Sequence, residues 1–318
     1  MFSCAILDDY QDAALSRGSF ERLKGRVEFT VLREHIADTG VLCATLQPFD
    51  IIVIMRERTR FDAERLSSLP QLKLLITTGA RNASVDLEAA KAQGIVVCGT
   101  DGFGGSTAEL TWGLLLAHMR QIPREYTNFQ ADGPWQLSVG RDLRGLTLGV
   151  IGLGALGTRV ASIGKAFGMK VLGWSRSNTP ERSQALDVGY CAGLDDLLAA
   201  SDVVSIHIPL NDDTRGLINA RRLGRMKKDA VLVNTSRGPI VDEAALVAAL
   251  RDSTLGGVCL DVFDQEPLPT AHPLRTLPNV TATPHLGYVT ENGYRAYFKG
   301  VVEAIEGWLN NSPVRRIT

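Results

Sequence analysis

Between Leu146 and Gly168 the chain passes from an apolar run, Leu-Thr-Leu-Gly-Val-Ile151, into Gly152-Leu-Gly-Ala-Leu-Gly157. A helical spacing then places Val160, Ile163 and Phe167 on one face. No other segment constrains the fold as strongly. A G-x-G-x-x-G hexamer alone arises by chance, but directly after a strand and at the opening of a helix it is the turn of a dinucleotide-binding βαβ unit. The glycines permit a tight turn and close backbone approach, and the helix start offers unpaired N–H groups and a positive dipole end to a pyrophosphate. A chain built on that unit is expected to be an α/β protein with a doubly wound parallel sheet covered by helices on both faces.

The rest of the sequence carries the same alternation. Short apolar runs predict strands at Cys4–Leu7, Ile51–Met55, Leu74–Thr77, Thr147–Ile151, Lys170–Trp174, Val203–Ile208, Ala230–Asn234, Gly257–Leu260 and Val280–Ala282. Most are apolar throughout, as strands buried on both faces are. At 318 residues the chain exceeds what one hydrophobic core usually serves, so two domains are expected. Gly99-Thr-Asp-Gly-Phe-Gly-Gly105 is too rich in glycine for a helix or strand interior and marks a boundary with a hinge. Ser106-Thr-Ala-Glu109 has the spacing of a helix capping box. The helix that follows, Thr107 to Gln121, is apolar nearly all round and must be buried on more than one side, as an interdomain or subunit-contact helix would be. After Pro284 one long helical pattern runs to Leu309 and is expected to return to the N-terminal domain. The reading is two doubly wound, Rossmann-like parallel-sheet domains. Residues 1–99, completed by 286–318, form a substrate domain into which residues 100–285 insert a dinucleotide-binding domain.

The 34 basic and 35 acidic residues nearly balance, which leaves no electrostatic footprint for nucleic acid or an anionic membrane. A small molecule is the expected partner. Cys4, Cys43, Cys98, Cys191 and Cys259 contain no C-x-x-C pair, which argues against a disulfide framework or a zinc cluster. They read as structural thiols, and no metal is expected. No apolar run approaches the roughly 18 residues that cross a bilayer, so the expected location is the cytoplasm.

Three charged residues fall just past predicted strands, at the edge where open α/β sheets bind ligands. Arg237 follows Val231-Leu-Val-Asn234, Glu266 follows the strand ending at Leu260, and His285 follows Val280-Thr-Ala282. Hydride transfer to a keto carbon leaves negative charge on its oxygen, so a proton donor that works near neutrality must stand there, and His is the default. A carboxylate on the other ring nitrogen fixes the tautomer and favours the protonated ring, a role open to Glu266. A substrate carboxylate suits the planar guanidinium of Arg237, which can bind it with two parallel hydrogen bonds while polarising the adjacent carbonyl.

The cofactor residues read from these segments are Gly152, Gly154, Leu156, Gly157, Ser175, Arg176, His207, Thr235 and Ser236, with structural packing in an apolar strand the alternative for His207. The strand Lys170–Trp174 should deliver an acidic residue about 20 residues after the fingerprint if the cofactor is NAD, to bond the ribose 2′-hydroxyl. It delivers Ser175 and Arg176, a hydroxyl beside a guanidinium that can accept a 2′-phosphate. The cofactor is therefore NAD or NADP, with these two residues favouring NADP and Arg182 a further candidate contact. Stacking of Arg176 on adenine is the alternative.

The chain resembles the D-isomer-specific 2-hydroxyacid dehydrogenases, the family of phosphoglycerate, glycerate and lactate dehydrogenases and of glyoxylate/hydroxypyruvate reductases. The resemblance runs from Ile51 to the C-terminal helix. It is carried by Leu143–Gly154, Asp202–Pro209, Val233–Glu243, Gly256–Pro267 and Thr283-Pro-His285, in that order. It implies Arg237 as substrate anchor, Glu266 and His285 as the proton-transfer pair, Asp261 as a contact to the nicotinamide amide, and homodimers formed through the cofactor domain. The segment Gly79-Ala-Arg-Asn-Ala-Ser-Val-Asp86 departs from the family's usual Gly-Val-Gly-Tyr-Asp-Asn-Ile-Asp by placing Arg81 where a glycine is common. The substrate residues are thus read as Arg58, Gly79, Ala80 and Arg81. With Arg56 they offer guanidiniums to a second anionic group, such as a phosphate or a carboxylate; ion pairing of Arg56 and Arg58 is the structural alternative. Glu266 stands where formate dehydrogenases carry glutamine. A competing reading from another class is a nucleotide-sensing, co-repressor-like interaction protein on the same scaffold, which turnover of a keto acid would exclude.

Overall fold

Every pairing between two strands of the sheets is parallel, and the cause lies in the apolar runs. Ile51–Ile54, Leu74–Thr77, Val203–Ile206, Val231–Asn234 and Gly257–Leu260 are buried at each position, which requires cover on both faces. The computed structural model describes residues 1–318. The chain divides into two units: Met1–Gly104 with Tyr288–Thr318, and Gly105–Gly287.

The first unit holds β1 (Phe2–Ile6), β2 (Val27–Val31), β3 (Ile51–Ile54), β4 (Leu74–Thr77) and β5 (Val96–Cys98), in the order β2-β1-β3-β4-β5. The second holds β6 (Thr147–Ile151), β7 (Lys170–Trp174), β8 (Gly189–Tyr190), β9 (Val203–Ile206), β10 (Val231–Asn234), β11 (Gly257–Leu260) and β12 (Val280–Ala282), in the order β12-β11-β10-β9-β6-β7-β8. Strand order reverses between β1 and β3 in one sheet and between β6 and β9 in the other. Crevices form at such points, outside the carboxyl ends of the strands.

Two doubly wound parallel sheets are what the sequence predicts, but three strands escape an apolar-run reading. β2 reads Val-Glu-Phe-Thr-Val and buries only its first position fully, β5 is three residues long, and both residues of β8 are exposed. These are edge or short strands, which no long buried run announces. The strand expected from Val203 to Ile208 ends at Ile206.

The Ser106–Met119 helix corrects the expected capping box. Its N-cap is Gly105 at φ 109°, no side chain caps it, and Ser106 is buried inside the first turn. The left-handed glycine turns the chain directly into the helix. This helix buries Trp112, Leu114, Leu115 and Met119 in the second unit's own core, with the Trp112 ring 4.9 Å from that of Phe167.

The last helix also starts later than the pattern after Pro284 suggests. It spans Glu291–Leu309, and the Thr290 hydroxyl accepts its capping bond from Gly293 N at 3.1 Å. Residues 285–290 are irregular, and His285 sits at φ 55°. The helix packs within the first unit, where fully buried Phe298 meets Phe20 and Tyr294 with ring centroids at 6.2 and 5.6 Å.

Candidate active site

At the β6/β9 switch point the backbone comes too close for side chains. Gly152 has φ 98°, and a Cβ there would lie 2.5 Å from the His207 carbonyl oxygen; a Cβ on Gly157 would lie 1.8 Å from the Gly152 oxygen. The Ala155–Ala166 helix, with Gly154 at its N-cap and Leu156 partly exposed in its first turn, therefore opens tightly against the end of β6. His207 caps the neighbouring strand: its N–H donates to Ile151 O at 2.7 Å, and Nε2 lies 2.8 Å from Ser205 Oγ. Burial pushes the imidazole down to about 4, so the ring is neutral near pH 7, and its Nδ1 is buried without a partner. A side-chain-free cradle, a helix start and an unsatisfied nitrogen together fit a dinucleotide.

The other cofactor candidates are distributed around that crevice. Ser175 is half-buried at the end of β7, and the exposed Arg176 guanidinium forms an ion pair with Asp213. Arg182 donates to Leu153 O inside the fingerprint at 2.9 Å. Thr235 and Ser236 spend their hydroxyls on the protein: Thr235 Oγ1 lies 2.8 Å from Thr111 Oγ1, and Ser236 Oγ donates to Ile208 O at 2.5 Å. These bonds tie the loop after β10 to the loop after β9 and to the Ser106–Met119 helix.

β10, β11 and β12 lie side by side, so the loops at their carboxyl ends share one edge. Glu266 and His285 meet there, with Oε2 2.6 Å from Nδ1 and both side chains largely buried. The other Glu266 oxygen accepts from Phe263 N at 2.9 Å, which fixes the carboxylate's orientation. Arg237 is half-buried and donates to Ser236 O at 2.7 Å. Its turn is locked by Asn234, whose amide nitrogen donates to Arg237 O and whose oxygen accepts from Ser236 N.

Asp261, 1 % exposed, accepts from Thr283 Oγ1 at 2.6 Å, Leu286 N at 2.7 Å and Gly287 N at 2.8 Å. Burial pushes its carboxyl up from the ordinary value, against the pull of those donors. The sequence did not reveal these supporting roles of Asn234, Phe263 and Asp261. An Asx turn was legible in Asn234-Thr-Ser, whereas the bonds of Asp261 join positions distant in the chain.

In the first unit Arg58 is not an open cation. Its guanidinium donates to Asp8 O at 2.6 Å and lies over the rings of Tyr10 and Tyr288 at 4.5 and 5.4 Å. Arg56 lies over Gly79, whose missing Cβ gives its guanidinium room, and contacts Glu57 at 3.6 Å. Ala80 and Arg81 are exposed beside it, and Arg81 makes no ion pair.

Residues 112–287 match the NAD binding domain of the D-isomer specific 2-hydroxyacid dehydrogenases. The chain is 43% identical over 241 residues to the glyoxylate reductase of Aeropyrum pernix, covering 73% of this chain and 71% of that one. It is 38% identical over 316 residues to the glycerate dehydrogenase of Methylorubrum extorquens, covering 95% and 94%. A solved structure described as a putative D-3-phosphoglycerate dehydrogenase oxidoreductase from Ralstonia solanacearum superposes with TM-score 0.93 at 36% identity, covering 100% of this chain and 97% of that one. The chain belongs to the D-isomer-specific 2-hydroxyacid dehydrogenase family, whose members are NAD-dependent oxidoreductases.

The buried neutral imidazole has a measurable consequence. Because the folded value of His207 is depressed, the unfolded chain takes up a proton that the folded chain does not, so stability is lost as pH falls from about 6.5 to about 4. His118 acts in the same direction through burial and the nearby charge of Arg141. Urea unfolding of His207→Gln should show a shallower loss of stability across that window. An unchanged slope would contradict a buried neutral ring.

Proposed function

We propose that this enzyme interconverts a small D-2-hydroxy acid and its 2-keto acid with NAD(P)(H). The observation that carries the reading is the 2.6 Å contact of His285 Nδ1 with Glu266, whose second oxygen is held by Phe263 N. Glu266 accepts a hydrogen bond from Nδ1–H, leaving Nε2 to face the substrate oxygen. In reduction Nε2 gives a proton to that oxygen, and in oxidation it takes one. Arg237 binds the substrate carboxylate and polarises its carbonyl.

The fingerprint glycines Gly152, Gly154 and Gly157 with Leu156 hold the pyrophosphate, and Ser175 and Arg176 face the adenosine ribose. His207, Thr235, Ser236 and Asp261 border the rest of the cofactor. Asp261 Oδ2 accepts one bond in the protein, so it retains capacity for a nicotinamide amide proton. Bound there, the nicotinamide supplies or accepts the hydride. The absence of a carboxylate at Ser175 and the presence of Arg176 favour NADP while leaving NAD usable.

In the first unit the exposed Arg81, with Arg56 beside it, suits a distal anionic group on the substrate such as a phosphate or second carboxylate, whereas Arg58 is occupied internally. A homodimer through the cofactor domain is supported by the Ile122–Gln130 helix and the loop after it. There Tyr126, Phe129, Trp135 and Val139 are 59%, 70%, 83% and 96% exposed, large apolar side chains that a second copy would cover. No helix is long and apolar enough to cross a membrane.

His285→Ala should lower kcat by about 10² to 10⁴. Glu266→Gln should also lower kcat, because the ring loses the carboxylate that accepts from Nδ1 and orients it; an unchanged kcat would remove Glu266 from the pair. Arg81→Ala should raise KM for a phosphorylated or dicarboxylate keto acid much more than for glyoxylate, which has no distal group; equal effects would leave Arg81 a role in the loop only. Sedimentation should give a dimer that Trp135→Glu dissociates, and a monomeric unsubstituted protein would refute that assembly.

A further inference from the structure

The carboxylate missing from the end of β7 is supplied from elsewhere. β6 lies between β9 and β7, so the loops after β9 and β7 flank the fingerprint turn. The Arg176–Asp213 ion pair joins these two loops across the carboxyl edge of the sheet, with both side chains more than half exposed. Asp213 is placed by its loop: its N–H and that of Thr214 both donate to Asn211 Oδ1 at 3.1 Å, and the Thr214 hydroxyl donates to Pro209 O at 2.8 Å. The braced backbone holds a negative charge against the one guanidinium that follows β7 directly.

From this geometry, and resting on the cofactor reading above, we propose that Asp213 sets the NADP-to-NAD preference of the enzyme. Its carboxylate neutralises Arg176 and stands beside the position where the end of β7 meets the ribose 2′ group. A 2′-phosphate must displace Asp213 from Arg176 and meets like-charge repulsion while doing so; a 2′-hydroxyl meets neither and can donate to the same carboxylate. An exposed pair of this kind is weak enough to be displaced. Arg176 therefore admits NADP and Asp213 limits the gain.

Adenosine 2′,5′-bisphosphate and 5′-AMP, titrated calorimetrically into the full-length protein, isolate the 2′ group without turnover. Asp213→Asn should tighten the bisphosphate about twofold to fivefold, the scale of an exposed ion pair removed from competition, and leave 5′-AMP nearly unchanged. The kcat/KM ratio for NADPH over NADH should rise with it, and adding Arg176→Ala should abolish the gain. Parallel changes in both ligands, or none in Asp213→Asn, would overturn the proposal. A gain that survives Arg176→Ala would overturn it too, because Asp213 would then act without the pair. Binding of 5′-AMP to the unsubstituted protein tests the cofactor reading separately; its absence would overturn that reading first.

Discussion

The contact on which the rest of the site depends is the buried carboxylate of Asp261. Three donors converge on it from the segment that follows β12, namely Thr283 Oγ1, Leu286 N and Gly287 N. His285 lies within that bracket at φ 55°, a backbone conformation a histidine rarely takes without support. Glu266 comes from the loop after β11, as Asp261 does, so one strand end supplies both the anchor of the histidine's backbone and the partner of its ring. A buried carboxylate with fewer donors would be costly, and here the desolvation that raises its proton affinity is opposed, though not outweighed, by three short bonds.

The same economy recurs along the edge of the second sheet. Asn234 closes the turn that presents Arg237, and Ser236 and Thr235 join that turn to its neighbours. The side chains proposed to meet a ligand are thus held by polar bonds to backbone, in loops that follow buried strands. Precision in the loops comes from the rigidity of the parallel sheet beneath them.

Much of this was legible in the sequence because it is local or periodic. The apolar runs announced the buried strands, and the fingerprint lay where a strand met a helix. The three charged residues followed strands that proved to be adjacent. Features that depend on distant pairing were not legible: β2 alternates rather than running apolar, Gly105 replaced a side-chain cap, and Arg58 had no visible reason to lie between Tyr10 and Tyr288. Asp213 shows the limit most clearly. The residues directly after β7, Ser175 to Pro180, contain no acid, yet one reaches Arg176 from a loop 37 positions later in the chain.

If Asp261 fixes the backbone of His285, Nδ1 is held as a donor to Glu266. Nitrogen-15 NMR of selectively labelled histidine, with His285 assigned by its loss in His285→Asn, observes that proton directly. An Asp261→Asn protein offers one acceptor oxygen where three donors converge. His285 Nδ1 should carry a proton with a strongly downfield resonance that moves back toward an ordinary imidazole in Asp261→Asn. A His285 ring without a proton on Nδ1, or the same resonance in both proteins, would contradict it.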